Sequence, residues 1–367
     1  MSEYYDKRKV VIAGGSGYLG SLLAHSFLED GWKVVILSRS SKPSLISGIR
    51  SVRWTGSESG TWESELSNCN VLINLSGRSV DCRYGKKNRK DILNSRISST
   101  RALSEALESL AAPPKVWINA SSMALYGQRW GGEDAFVEDS PVSGKGFLEE
   151  VTQAWEDAFV EKTWPNVRQI SLRISFVLGK KSGAFPLLAK FAKLGLGGAQ
   201  GTGKQWMSWL HEDDFVSIVR FLIEQQELSG PFNLAAPQPI LNEDFMKCLR
   251  QQLAPLGLGL PAPAWGVKLG CFVIGSASEL ALQSRKVRSK SSMMRATLFG
   301  FPRSNLQLQI WWVVECYKLT KGSFRIPYAH QIQTSWKSDC RNLRFHLCRQ
   351  TYIRIKAHHF PIVPIVR

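Results

Sequence analysis

Seven residues near the amino terminus, Gly14-Gly15-Ser16-Gly17-Tyr18-Leu19-Gly20, constrain this chain more than any other feature. They follow a short apolar β-branched run, KVVIA (9–13), and open an amphipathic stretch from Tyr18 to Glu29. Asp30-Gly31 ends that stretch, and a second apolar run, KVVIL (33–37), follows. Strand, tight turn, helix and strand in about 30 residues is the size of one βαβ unit. The segment fits G-x-x-G-x-x-G from Gly14 and G-x-G-x-x-G from Gly15. In such a turn one glycine makes the bend, another lets backbone approach a pyrophosphate, and the third lets helix pack on strand. The helix amino terminus then offers unpaired N–H groups to phosphate. A glycine triplet alone is weak evidence; a strand before it and a helix after it make it a dinucleotide cradle rather than a plain Gly-rich turn.

The end of the second strand selects the dinucleotide. NAD-binding units place Asp or Glu there for the ribose 2′-hydroxyl. Here the residues are Ser38-Arg39-Ser40. A carboxylate repels a 2′-phosphate, whereas Arg39 can pair with one through charge-assisted hydrogen bonds. The expected cofactor is NADP(H), with NAD second; the alternative for Arg39 is a solvated strand-end arginine.

Further apolar, non-alternating runs are NVLINLSG (70–77), KVWINAS (115–121), RQISLRISFVLG (168–179) and PFNLAA (231–236). Helical patterns separate them at about 88–110, 148–161, 213–227 and 242–253. Such alternation predicts an α/β fold, a doubly wound parallel sheet covered on both faces. The pattern weakens near Gly179. Residues 183–210 are rich in Gly, Trp and Leu with few clear periods, and 253–266 reads as a turn-rich linker. The division is therefore a dinucleotide-binding domain over 8–180, with strands also drawn from 180–240. A smaller substrate-side region spans 181–287, and a basic tail 288–367.

The chain has 367 residues and a formal net charge of +17, unevenly spread. Residues 288–367 carry 14 Lys and Arg against 2 Asp and Glu, while the preceding residues carry 33 against 28. The body is thus only mildly basic, which argues against nucleic-acid binding except through the tail. The tail reads as a basic arm, a membrane-surface segment or a non-native extension, and its abrupt loss of pattern and of acid favours the last. No apolar run reaches the ~18–20 residues a bilayer needs, so no membrane partner is expected. The amino terminus lacks the features of an export signal, and seven dispersed cysteines without CxxC read as reduced thiols. The expected location is cytoplasmic. No His/Cys/Asp set has metal-ligand spacing.

In order, GGSGYLG (14–20), SRS (38–40), NLSG (74–77), SRISSTRAL (95–103), SSMALYG (121–127), LRISFVLG (172–179), GLGG (195–198), GTGKQWMSWLHEDDF (201–215), FNLAAP (232–237) and SRKV (284–287) stand along the chain. Together they resemble an atypical branch of the extended short-chain dehydrogenase/reductases, the epimerase-family proteins with a small extra carboxy-terminal domain. The resemblance covers about residues 8–287. It implies a Rossmann-type sheet with a smaller substrate-side region and a dinucleotide ligand. It also implies that Asn74, Leu75, Ser76 and Gly77 pass the adenosine–ribose side of the cofactor, and that Arg173 lies near the nicotinamide end.

Ordinary members of that superfamily use a Ser or Thr, a Tyr, and a Lys four residues after the Tyr. A phenol with pKa near 10 needs an adjacent ammonium to act as a base at pH 7. Ser122 matches the family serine, but Phe147 and Val151 stand where the Tyr and Lys belong, and neither can move a proton. Tyr126 is the leading substitute. His211 is a second candidate, or else a packed histidine before a helix capped by Asp213. Trp206 and Trp209 either floor an apolar pocket or fill core, and Glu149 and Glu150 read as solvated. The expectation is an NADP(H)-binding oxidoreductase or epimerase-like enzyme without the Tyr-x-x-x-Lys pair, acting on an unidentified small molecule. The alternative is a cofactor-binding sensor or scaffold without turnover.

Overall fold

The computed structural model describes residues 8–40, 46–142, 144–179, 183–254 and 256–290. The basic tail beyond residue 290, with its three readings, lies outside the described residues.

The chain opens with β1 (Lys9–Ala13), α1 (Tyr18–Glu29), β2 (Lys33–Ser38) and β3 (Ile49–Arg53). It continues through β4 (Val71–Asn74), α2 (Lys86–Glu108), β5 (Val116–Ser122), α3 (Phe147–Val160) and β6 (Arg168–Ile174). These strands and β10 (Gly230–Leu234) form one seven-stranded sheet, in the order β10-β6-β5-β4-β1-β2-β3. Every pairing in it is parallel.

The inner strands β1, β2 and β4 carry consecutive apolar residues because both faces are covered. Side chains alternate across a strand. Accordingly Val10 and Ile12 join one core with Val34, Ile36 and Ile73, packed with Leu23 and Phe27 of α1 and Phe215 and Ile218 farther along the chain. Val11 and Ala13 join the other, with Val35, Leu37, Leu72 and the α2 and α3 residues Leu103, Leu107 and Phe159. Trp117 is fully buried there, edge-on to Phe159 at 4.8 Å. Such aromatic pairs add about 0.5–1.5 kcal/mol beyond the area they bury.

The run expected as a single strand over 168–179 breaks at Ser175. Beyond the break, β7 (Phe176–Leu178) leaves the main sheet and, after α4 (Phe185–Lys193), pairs in parallel with β9 (Trp209–His211). Between them lies β8 (Trp206–Met207), and after β9 come α5 (Glu212–Glu224), β10, β11 (Ile240–Leu241), α6 (Asn242–Leu253), α7 (Ala264–Ile274) and the single turn α8 (Glu279–Leu282). The stretch 183–210, without clear period, thus contains α4. Leu178, Phe185, Trp209, Phe245 and Leu249 pack into a separate small core.

The tail boundary expected at 288 falls inside the folded body. Arg288 donates its N–H to Phe136 at 2.9 Å. Ser289 is buried, and the N–H of Lys290 donates to Glu138 at 2.7 Å. The described body therefore extends at least through residue 290. No helix among the described residues is long and apolar enough to cross a membrane.

Candidate dinucleotide site and the serine loop

Strand order reverses between β1 and β4: β1 leads to β2 and β3 on one side, β4 to β5 and β6 on the other. Ligands of open α/β sheets bind at the carboxyl ends of the strands at that reversal. Here the glycine loop leaves β1 and the Asn74–Gly77 turn leaves β4. Leu75 donates its N–H to Ala13 at 2.9 Å, which holds the two loops side by side.

Two glycines show why the loop needs them. Gly14 has φ +76°, and a Cβ there would stand 2.9 Å from the carbonyl carbon and oxygen of Leu75. At Gly20 a Cβ would stand 2.6 Å from the Cα of Gly15, so only glycine lets α1 approach its own loop this closely. Gly17 is the N-cap of α1 and offers no side-chain cap. The first N–H groups of α1 thus lie at the strand crevice for an incoming phosphate. Ser16 is exposed at the loop tip, Gly15 is buried against Ile36, and Leu19 packs on the core beneath. Tyr18 does something the sequence does not suggest: its hydroxyl donates to Glu212, tying the loop to the start of α5. Replacing Gly14 by Ala should strain the backbone and press on Leu75. A loss of at least about tenfold in dinucleotide affinity, with the fold kept by circular dichroism, is the expected outcome.

Asn74 is buried and sets the second loop. Its amide donates to Asn119 at 2.7 Å and Thr100 at 3.2 Å, and its carbonyl accepts the N–H of Ser76 at 3.0 Å. Beneath Gly77 lies Arg96, which donates to the carbonyls of Arg78 and Ile92 and packs over Trp155. Burial pulls its guanidinium down to about 10, and the nearby Tyr84 acts in the opposite direction. Arg96 belongs to the SRISSTRAL segment, yet its place under the turn is not readable from periodicity.

At the end of β2, Ser38 is buried and bonds through its hydroxyl to the carbonyl of Ser40, while Arg39 is exposed. Sequence reading missed β3, and with it Arg53. In register Arg53, the last residue of β3, is paired with Ser38, the last residue of β2, so Arg39 follows directly after the residue that Arg53 pairs with. Both arginines are exposed.

The residues expected at the reacting end are more divided. Ser122 ends β5, half-buried, and its Oγ accepts the N–H of Ala124 at 3.1 Å. That bond leaves the hydroxyl proton to be donated. Tyr126, four residues on, does not face a pocket. It is fully buried, stacked on Phe136 at 5.3 Å, and its hydroxyl donates to Asn233 at 2.8 Å while accepting from Arg173 at 2.7 Å. Burial raises its pKa, with Arg173 and Asn233 working against the rise. The phenol is therefore neutral and occupied, which removes the geometry a proton carrier needs. Replacing Tyr126 by Phe should lower stability by about 1–3 kcal/mol, because two buried partners lose their bond. A denaturant midpoint unchanged by that substitution would contradict the assignment.

Arg173, expected near the nicotinamide end, is buried and fully engaged by protein partners. Its guanidinium grips Glu156 through both oxygens, Nε to Oε1 at 2.9 Å and Nη2 to Oε2 at 2.8 Å. Ser121 and Ser171 donate to the same carboxylate. Burial alone lowers the pKa of Arg173, but the Glu156 pairing outweighs it and the net direction is up. Phe147 opens α3 and packs edge-on to Tyr84 at 5.1 Å, and Val151 is buried below it.

His211 is buried and is itself the N-cap of α5: Nδ1 accepts the N–H of Asp213 at 3.1 Å. The cap is thus the histidine, where Asp213 was expected to supply it. Trp209 is core, its ring N–H donating to the carbonyl of Gln238 at 3.2 Å. Trp206 is half-buried and donates to the carbonyl of Gly131 at 2.8 Å. Glu149, expected in solvent, is buried and paired with Arg285 at 3.1 Å.

Comparison with known proteins decides the family. The model of the NAD dependent epimerase/dehydratase family matches residues 10–235. The chain belongs to that family. Relatives of this epimerase/dehydratase type include the epimerase family protein YfhF of Bacillus subtilis, 32% identical over 302 residues, which cover 82% of this chain and 96% of that one. The epimerase family protein SA0724 of Staphylococcus aureus is 30% identical over 308 residues, covering 83% and 98%. Among solved structures, the human epimerase family protein SDR39U1, crystallised with NADPH, superposes with a TM-score of 0.71 at 25% identity, covering 84% of this chain and 99% of that one. MoeE5, solved with UDP-glucuronic acid and NAD, shares the fold at a TM-score of 0.66 and 17% identity.

Proposed function

We propose that this protein binds NADP(H) at the reversal of strand order and acts as an oxidoreductase or epimerase-like enzyme on a small molecule. The observation that carries the reading is the close approach of Gly14 to Leu75 beside an α1 terminus with no side-chain cap. Backbone N–H groups and the helix dipole converge where a pyrophosphate would lie. Arg39, just after β2, and Arg53, at the end of the neighbouring β3, suit a 2′-phosphate better than a bare ribose. The human relative crystallised with NADPH supports the same cofactor, whereas MoeE5 was solved with NAD.

When bound, the nicotinamide supplies hydride chemistry at its C4 carbon. Among this chain's residues, Gly14 to Gly20 hold the phosphates and Asn74 shapes the loop beside the ribose. Ser122 donates its free hydroxyl proton to the reacting substrate oxygen. Tyr126 keeps no role in proton transfer; with Arg173 it fixes the floor beneath. The test is incubation of the protein with NADP⁺ and fractionated small-molecule extracts, following reduced nicotinamide by its absorbance. A fraction that drives reduction in the native protein and at least tenfold less with Ser122→Ala supports the reading.

Phe147, Val151 and the buried Tyr126 give a second reading a specific basis: a cofactor-binding sensor without turnover. It predicts NADPH binding as tight as in the first reading and no reduction with any fraction.

A further inference from the structure

A surface helix ordinarily buries its apolar stripe and turns its polar face to water. Helix α7 (Ala264–Ile274) does the reverse. It buries Val267 alone. Trp265, Leu269 and Val273 recur at four-residue spacing with Phe272 beside them, and these four are 57% to 74% exposed. Leu258 and Leu260, in the segment that leads into the helix, are exposed as well. One helix thus turns an apolar, aromatic stripe outward, which singly scattered exposed residues do not make.

Cations flank the stripe. Arg83 reaches it directly: its guanidinium lies 4.2 Å over the Phe272 ring and donates to the Phe272 carbonyl at 2.6 Å. The hydroxyl of Ser276, just past α7, donates to Asp81, so the loop 81–84 is tied to the end of the helix. From that loop α2 begins, and Lys86, Arg89 and Lys90 share one of its faces by their three- and four-residue spacing. Arg89 lines the same cavity of about 480 Å³ as Lys268, which stands on α7 itself. All five cations are exposed. Across residues 81–91 and 264–279 the acids are Asp81, Glu279 and Asp91, and Asp91 pairs with Arg78 at 2.7 Å. The first turn of α2 carries no acid, so Lys86 and Lys87 stand there against the helix dipole, an unfavourable placement that a negatively charged partner relieves.

We propose that α7 and the start of α2 form a docking surface for an anionic lipid bilayer. The stripe of α7 enters the headgroup boundary, while Arg83, Lys86, Arg89, Lys90 and Lys268 meet the negative headgroups. Lying on a bilayer needs no spanning run, so the expectation of no membrane partner, which rested on the lack of such a run, does not bear on this surface. A second copy suits it less, because a two-fold contact through one patch sets cations against cations. Nucleic acid would engage the cations and leave the aliphatic stripe in water.

Flotation of the full chain with lipid vesicles provides the test. One set is phosphatidylcholine, the other equal parts phosphatidylcholine and phosphatidylserine. The protein should partition at least about tenfold more strongly onto the anionic set, and added salt should weaken that partition. Trp265→Gln, Leu269→Gln and Val273→Gln together leave every charge in place and should lower it at least about tenfold. Lys86→Gln with Lys90→Gln leaves the stripe intact and should lower it about tenfold. All five positions are exposed, and unchanged circular dichroism shows that the fold is kept. Equal partition onto both sets, no partition onto either, or partition that survives the α7 substitutions would each overturn the proposal; survival would place the contact in the basic tail. A dimer in sedimentation that the α7 substitutions dissolve would overturn it by giving the stripe to a second copy. Binding of a short single-stranded RNA, lost with the lysine substitutions and kept with those in α7, would overturn it in favour of nucleic acid.

Discussion

Replacing Arg39 by Asp should lower NADPH affinity about 10- to 100-fold and change NADH affinity by less than about threefold. The arginine is exposed at the end of β2, so the substitution disturbs no packing. A charge-assisted hydrogen bond contributes about 1.5–3 kcal/mol, and the new carboxylate adds repulsion toward a 2′-phosphate while accepting well from a 2′-hydroxyl. Arg53 at the end of β3 should share the load, so Arg53→Ala alone weakens NADPH less and the double substitution weakens it most. Fluorescence titration of both dinucleotides against the three variants measures this. Parallel losses for NADPH and NADH would mean that Arg39 supports the loop generally and does not discriminate.

The second large effect concerns stability. Glu156→Ala should destabilise the protein by about 3–5 kcal/mol, the range for removing one partner of a buried ion pair. Glu156 takes two hydrogen bonds from Arg173 and further ones from Ser121 and Ser171. Arg173 in turn holds Tyr126, and Tyr126 holds Asn233, whose amide donates to the carbonyl of Arg288. Removing the carboxylate leaves a buried guanidinium at the centre of this chain of bonds. The melting midpoint should fall by about 10 °C. A shift of only a degree or two would show that the network is solvated and that Tyr126 is free to serve elsewhere.

What was legible in the sequence was local. KVVIA, the glycines and the amphipathic helix after them lie within one βαβ unit, so period and turn chemistry sufficed. The edge strand β3 escaped because IRSVR carries only one apolar residue per face, Ile49 on one and Val52 on the other, between charged and polar neighbours. Losing β3 hid Arg53, since its meaning lies in its register with Ser38. Tyr126 and Arg173 misled for the same reason in reverse. Each carries reactive chemistry, but partners 17 to 107 residues away absorb it. Glu149 read as solvated because a first-turn glutamate ordinarily is. The signal that it turns inward lay in Gly144 and Gly146 before it and Arg285 far beyond it, a conjunction visible only after folding.

Titration calorimetry of the folded protein with NADPH and with NADH tests the central claim most directly. The expected result is one site per chain, filled by NADPH at least about tenfold more tightly than by NADH, with NADPH at least about tenfold weaker in Gly14→Ala. No heat with either dinucleotide, or tighter binding of NADH, would contradict it.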